Sequence, residues 1–250
     1  MSASGTSRGA VPFTVLLAAW SLLSYPRLID PVFLPTPTRV IITLVQLFYQ
    51  ADFITDLAVS TGRILSGFGV AAVLAVPIGV LMANSLTLDR TLRPFLGFTR
   101  YLPVSAFVPL LILWSGIGFS QKLWIIFLGV FFHLALLIAD DASRVPRAVL
   151  DSAKTLSATA WQTAFWIRLP YSLPAIFDDL RIMLGAAWTY LVVAELVAAD
   201  SGIGRMIIDS QRFLRTDRVI ACILAVGMIG ILSDLFFRIV TATVAPWSRL

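Results

Sequence analysis

Over 250 residues the chain is 58% hydrophobic and only 13% charged, with a formal net charge of +5, whereas an ordinary soluble domain carries roughly a quarter charged residues. That composition excludes a water-soluble fold. The arginines are scattered along the flanks of apolar runs with no recognition motif among them, so membrane topology accounts for the basic balance better than nucleic acid does.

The apolar stretches run to about 20 residues, enough to cross a hydrocarbon core. They lack the period-two alternation of an outer-membrane barrel and hold Gly and Pro freely, as in residues 62–79 with Pro77, which predicts helices. Val11 to Tyr25 has only Arg8 before it and no small-residue cleavage site after it, so it reads as an uncleaved first span, about 11–29. A Pro-rich run follows. Thr38 is then placed to cap an amphipathic interfacial helix carrying Val40, Ile41, Leu44, Leu47 and Phe48. Further spans are predicted at about 60–84, 95–116, 121–140, 180–199 and 219–242, with a long polar-interrupted segment at 141–178. Trp114, Trp124, Trp188 and Trp247 read as interfacial or packing residues, and the single Cys222 as a packing residue.

Six spans put both termini on one side. Arg8, Arg90, Arg93, Arg144, Arg147, Lys154, Arg168, Arg238 and Arg249 lie there, against Arg27, Arg39, Lys122, Arg205, Arg212, Arg215 and Arg218 opposite. The slight excess predicts cytoplasmic termini.

The chemistry of an energy source is missing from this chain. A phosphate-binding loop ends in Gly-Lys-Ser or Gly-Lys-Thr, and the only lysines, Lys122 and Lys154, follow Gln121 and Ala153. One histidine and one cysteine, His133 and Cys222, do not make a zinc site. His133 sits among Phe131, Phe132 and Leu134 and reads as a packing residue, with a pore-lining role as the other reading. No hydrolase motif or pair of intramembrane acids is found. Catalytic, cofactor and metal sites are therefore not expected here, and transport would draw on another subunit or on an ion gradient.

The inner segment reads Asp151-Ser152-Ala153-Lys154-Thr155-Leu156-Ser157, and closes on Ile167-Arg168-Leu169-Pro170. Its spacing resembles the signature loop of the permease subunits of ABC importers: Glu-Ala-Ala, three residues, Gly, nine residues, Ile-x-Leu-Pro. Asp151 stands for the Glu, Ser152 and Ala153 for the two alanines, Ser157 for the Gly, and Ile167, Leu169 and Pro170 for the closing residues. Small residues suit a short helix seated in a cleft of a soluble partner, and Pro170 is expected to stop the structure. An ordinary amphipathic interfacial helix also fits Ala153, Leu156 and Ala160.

Further matches lie at Phe33 to Pro37, Arg63, Pro103, Pro109 to Gly118, Leu180 to Ile182, Val193 to Glu195, Ser201 to Gly204 and Phe213 to Asp217. They are similar to the branch importing nitrate, taurine, other sulfonates, bicarbonate and related small anions. The resemblance implies an all-α, MetI-like membrane domain of type 1 over residues 1–250 with a cytoplasmic coupling helix in the bacterial inner membrane. It also implies a homodimer, two ATPase subunits that hold ATP and Mg²⁺, and an extracytoplasmic substrate-binding protein. Asp151, Ala153, Ser157, Ile167, Leu169 and Pro170 then belong to the ATPase-coupling loop. An ATP-independent anion channel or ion-coupled carrier is the alternative.

Glu195 is the only glutamate, at the outer end of the fifth predicted span. An acid at that depth marks a functional site unless it is paired or wetted. Two readings stand: a gate in which it pairs with an arginine such as Arg63 or Arg181, or a brace for the span. From Asp200 to Arg218, four arginines and three aspartates with Gly202 and Gly204 read as a flexible outer loop that either steers anions or pairs internally.

Overall fold

In a computed structural model, residues 4–197 and 201–244 are described, with side-chain environments from Val11 onward. Asp200, Trp247, Arg249 and the last two positions of the predicted fifth span lie outside the described residues. Every regular element among the described residues is a helix, with no strand. Helix α1 (Ser4–Ser24) leads to α2 (Pro37–Phe48), then α3 (Ala51–Asn84), α4 (Leu86–Thr99), a 3₁₀ turn (Val104–Phe107), α5 (Val108–Ser115) and α6 (Phe119–Ser143). The second half holds α7 (Arg147–Thr155), the single turn α8 (Ala160–Gln162), a π-helical stretch (Thr163–Arg168), α9 (Leu169–Val197), α10 (Ile203–Arg212) and α11 (Thr216–Val244).

Among the described residues, four helices are long and apolar enough to cross a membrane: 51–84, 119–143, 160–197 and 216–244. The predicted span 95–116 is not one straight helix. Its residues are shared between α4 and the helical stretch 104–115, which meet at 81° as a broken span or a re-entrant loop. The break falls at Leu102-Pro103, where the ring of Pro103 disfavours helical geometry in the residue before it. Helix α1 ends at Ser24, where the expected first span runs on to 29.

The core forms where α3 lies against α6, the most extensive helix pair, with α9 packed on both. Gly67 and Gly79 make this possible. A Cβ on Gly67 would stand 2.8 Å from Ile126, and one on Gly79 equally close to Ile138 and the carbonyl of Ala135. Small residues let membrane helices approach closely when no hydrophobic effect drives them together; Ala71, Ala75, Ala135 and Ala139 extend the same seam.

Helix α2 is capped by Thr36 rather than Thr38; the Thr36 hydroxyl accepts from the Arg39 N–H, and Pro37 occupies the first turn, where its missing N–H costs nothing. It does not merely float at an interface: Val40 and Leu47 pack with Cys222, Ala221 and Ala225 of α11. Thr43 donates to the buried carboxylate of Asp217 at 3.0 Å, and Arg39 lies 3.5 Å from the same group. Lys122, expected on a flank, is fully buried near the start of α6.

Candidate functional site

The inner segment begins with α7, whose Ala153 is buried while Asp151 is exposed and holds Lys154 at 3.0 Å. The helix ends in a tight turn. The Ser157 N–H donates to Lys154 O and the Ala158 N–H to Ala153 O, with Ser157 at φ +56°. That pair of bonds around a left-handed residue is the Schellman ending, which usually places glycine where Ser157 stands. Serine takes the turn at a cost, and the geometry survives.

Thr159 restarts the chain with a reciprocal cap: its N–H donates to Gln162 Oε1, and its hydroxyl accepts from the Gln162 N–H. Here the sequence expectation needs correcting. Pro170 does not stop the structure, because residues 160–197 form one continuous helix. Proline mid-helix removes a donor and crowds the carbonyl four residues back, that of Trp166. The π stretch just before it absorbs this: the Leu169 N–H reaches back five residues, to Ala164 O.

The segment is locked to the membrane helices from beneath. Arg168 donates to Ala142 O at 2.6 Å and to Asn84 Oδ1 at 3.3 Å, while Asn84 donates to Ala160 O at 2.8 Å. One arginine thus joins the inner ends of α3 and α6 to the π turn. Ile167 is half-buried, and Leu169 packs on the main core with Ala164 beneath it. Leu156, Trp161 and Trp166 face outward, 83%, 62% and 71% exposed. Together they give this short segment an apolar exposed face.

At the opposite end, Glu195 and Arg63 form an ion pair at 2.7 Å, the glutamate with no exposed surface. The Ser60 hydroxyl lies 2.9 Å from Glu195 Oε1 and accepts from the Ile203 N–H. Glu195 Oε2 accepts from the Gly204 N–H, Asp56 from the Gly202 N–H, and Arg63 donates to both the carbonyl and the hydroxyl of Ser201. Three side chains therefore satisfy the N–H groups that open α10, where anionic partners are favoured. The outer segment is a clamped helix rather than a flexible loop. Gly202, at φ +100°, and Gly204 are required because a Cβ on either would overlap Glu195.

Glu195 is thus paired with Arg63, an arrangement common to the gate and the brace readings. Arg181 is not its partner: it lies further inward on α9, with Asp234 of α11 at 3.1 Å and Asp178 at 3.5 Å. Three of the four arginines of the outer segment are paired within it, Arg205 and Arg212 with Asp209 and Arg215 with Asp217, while Arg218 donates to Gln50 Oε1. Ser60, Asp56 and Arg168 were not singled out by sequence; only the convergence of distant segments reveals them.

Residues 75–246 match the family described as "Binding-protein-dependent transport system inner membrane component". The chain belongs to that family. It is 34% identical to the taurine transport system permease protein TauC of Escherichia coli (strain K12), over 93% of this chain and 86% of the relative. It is 32% identical to the putative aliphatic sulfonates transport permease protein SsuC of Bacillus subtilis (strain 168), over 97% and 88%. The nitrate import permease protein NrtB of Synechocystis sp. is 27% identical over 96% and 89%. Among solved structures, the inward-facing MetNI methionine ABC transporter shares the fold at a TM-score of 0.61 and 18% identity, over 76% of this permease and 99% of that chain. A bacterial alginate ABC transporter does so at 0.59 and 17%, over 94% of each. The MetI-like architecture expected from the signature loop is therefore the fold of this permease.

Proposed function

We propose that this permease is the pore-forming subunit of an ATP-driven importer for a small oxyanion, such as a sulfonate, taurine or nitrate. Two copies would form the pore, with two ATPase subunits on the inner segments and an extracytoplasmic binding protein on the outer face. ATP and Mg²⁺ would reside on the ATPases, and both termini of the permease would be cytoplasmic. The observation that carries this reading is the segment 151–170: a helix, a left-handed turn at the position of the family's glycine, and exposed Leu156, Trp161 and Trp166, all anchored through Arg168. Such an element suits a lever, since a partner that closes on it moves α9 directly. Nucleotide drives the pore only as far as it favours one conformation over the other. Asp151, Ala153, Ser157, Ile167, Leu169 and Pro170 are then the coupling residues, and Glu195 with Arg63 holds the outer end.

The test is purification of tagged permease from native membranes in mild detergent, with ATPase activity measured for wild type and for Leu156→Glu. That exposed position is replaced without touching the turn at Ser157. A co-purifying ATPase lost in the variant supports the importer. A well-folded wild-type chain without any nucleotide-binding partner in every detergent defeats it and leaves the autonomous channel or carrier.

A further inference from the structure

The 81° bend between α4 and the helical stretch 104–115 leaves backbone polar groups open. Among the described residues, the carbonyls of Arg100, Tyr101 and Leu102 and the N–H groups of Val104 and Ser105 take part in no hydrogen bond. The bend lies deep in the bundle. Phe95, in the second half of α4, packs edge-on against Phe132 of α6 with ring centroids 6.2 Å apart, and Arg100 is within electrostatic reach of His133. His133 stands about 15 Å from the inner end of α6 and about 21 Å from its outer end, at 1.5 Å per residue. Open backbone at such depth is tolerated only where protein or water covers it. Nothing in this chain does so: Arg100, Tyr101, Pro103, Ser105 and Ala106 are exposed. A helix of a second copy would not satisfy these groups either, since its own carbonyls and N–H groups are bonded internally, whereas water would.

Arg100 brings an unmatched charge to this bend. Its one polar contact is the Tyr101 hydroxyl, which accepts from Nη2 at 3.1 Å, with the guanidinium 5.0 Å from the ring centroid. It has no ion pair among the described residues. Arg63 and Arg181, also set within the long helices, are matched by Glu195 and by Asp178 with Asp234. Tyrosine is neutral, so it orients the guanidinium without cancelling its charge, and one of five N–H donors is spent. A charge at membrane depth that faces away from its own chain marks the path of a solute or ion. The planar guanidinium fits two oxygens of one anion at once.

We infer that the bend from Arg100 to Ser105 lines a water-filled path, and that Arg100 is a contact site there for a small oxyanion. The inference rests on the importer reading for its role in transport and places the solute against a named side chain. Tyr101 is a positioning residue for the guanidinium, and the Ser105 hydroxyl, which bonds to nothing else among the described residues, adds a donor across Pro103.

The experiment uses full-length permease in its assembled complex, with Ser105→Cys as a reporter and Ala106→Cys as a second, both at exposed positions. The native thiol, Cys222, is fully buried and serves as the unreactive background. Modification rates are compared for the anionic 2-sulfonatoethyl and the cationic trimethylammonium-ethyl methanethiosulfonates, each relative to a free thiol in water, with and without trapped nucleotide. The anionic reagent is expected to react about ten-fold faster, and millimolar ethanesulfonate to slow it several-fold. Arg100→Gln should remove both the preference and the protection, while Arg100→Lys should keep the preference. Equal rates in the presence of Arg100, or a preference that survives Arg100→Gln, would overturn the inference. So would failure of both reporters to react in either nucleotide state, which would show the bend covered by protein or lipid. A preference seen in phospholipid-free detergent but lost in phosphatidylcholine nanodiscs would assign Arg100 to a lipid phosphate and overturn the path. A complex that retains its ATPase yet gives any of these results sinks this site alone, whereas absence of the ATPase sinks the importer reading.

Discussion

Two side chains carry conformational costs that substitution can read out. Ser157 occupies a left-handed backbone where a Cβ costs roughly 1–2 kcal/mol. Ser157→Gly is expected to stabilise the chain by about 1 kcal/mol, while the β-branched Ser157→Val destabilises it; thermal unfolding in detergent orders the three. Glu195 has the opposite character. Its carboxylate pairs with the buried Arg63, so Glu195→Gln weakens a buried ion pair and is expected to destabilise the chain by roughly 1.5–3 kcal/mol, the worth of a hydrogen bond to a charged group. The double change Arg63→Met with Glu195→Met should recover part of that loss, and a double change no better than the single one would show that capping of Ser201 to Gly204, not charge balance, dominates. Glu195 was legible in the sequence because a lone acid in an apolar run is conspicuous. Ser60 and Asp56 were not, since a serine and an aspartate spaced along a helix show no pattern until residues 201–204 fold back onto them.

Among the helices, the sequence showed where apolar surface is but not where backbone bonding stops. Helix α3 begins nine residues before the predicted 60, because Asp52 and Asp56 are polar yet helical and carry the helix outward to meet α10. The break between α4 and α5 was written in Pro103 and Pro109, but an unbroken hydropathy profile hid it. Pro170 misled for the converse reason, since the π turn that accommodates it has no hydropathy signature. That turn depends on Arg168, which bonds to both α3 and α6. Arg168→Ala is expected to raise amide exchange over residues 160–168 about ten-fold, the loss of hydrogen bonds to a charged group worth roughly 1.5–3 kcal/mol each. Uptake by the assembled importer should fall while the ATPase stays bound through Leu156 and the exposed tryptophans. Unchanged exchange would mean that the core packing of Ala164 and Leu169 holds the segment unaided.

At the scale of the whole molecule, the inner contact surface and the outer clamp are two ends of one rod. The helix from Ala160 to Val197 runs 38 residues, about 57 Å at 1.5 Å per residue, and carries Trp161 at its start and Glu195 near its end. Displacement of the start by a partner is passed to α10 through Glu195 and the Gly204 N–H, provided that the clamp holds. Proximity alone does not prove such coupling; both ends must bias one two-state element. The decisive measurement is hydrogen exchange over Met206 to Arg212 in the assembled complex, with and without nucleotide trapped on the ATPase. In wild type, trapping is expected to change α10 protection several-fold. With Glu195→Gln the change should remain over residues 147–168 and vanish from α10. If α10 still responds in that variant, the signal travels instead along α3, which also reaches both ends, from Asp56 at the clamp to Asn84 beneath the coupling turn.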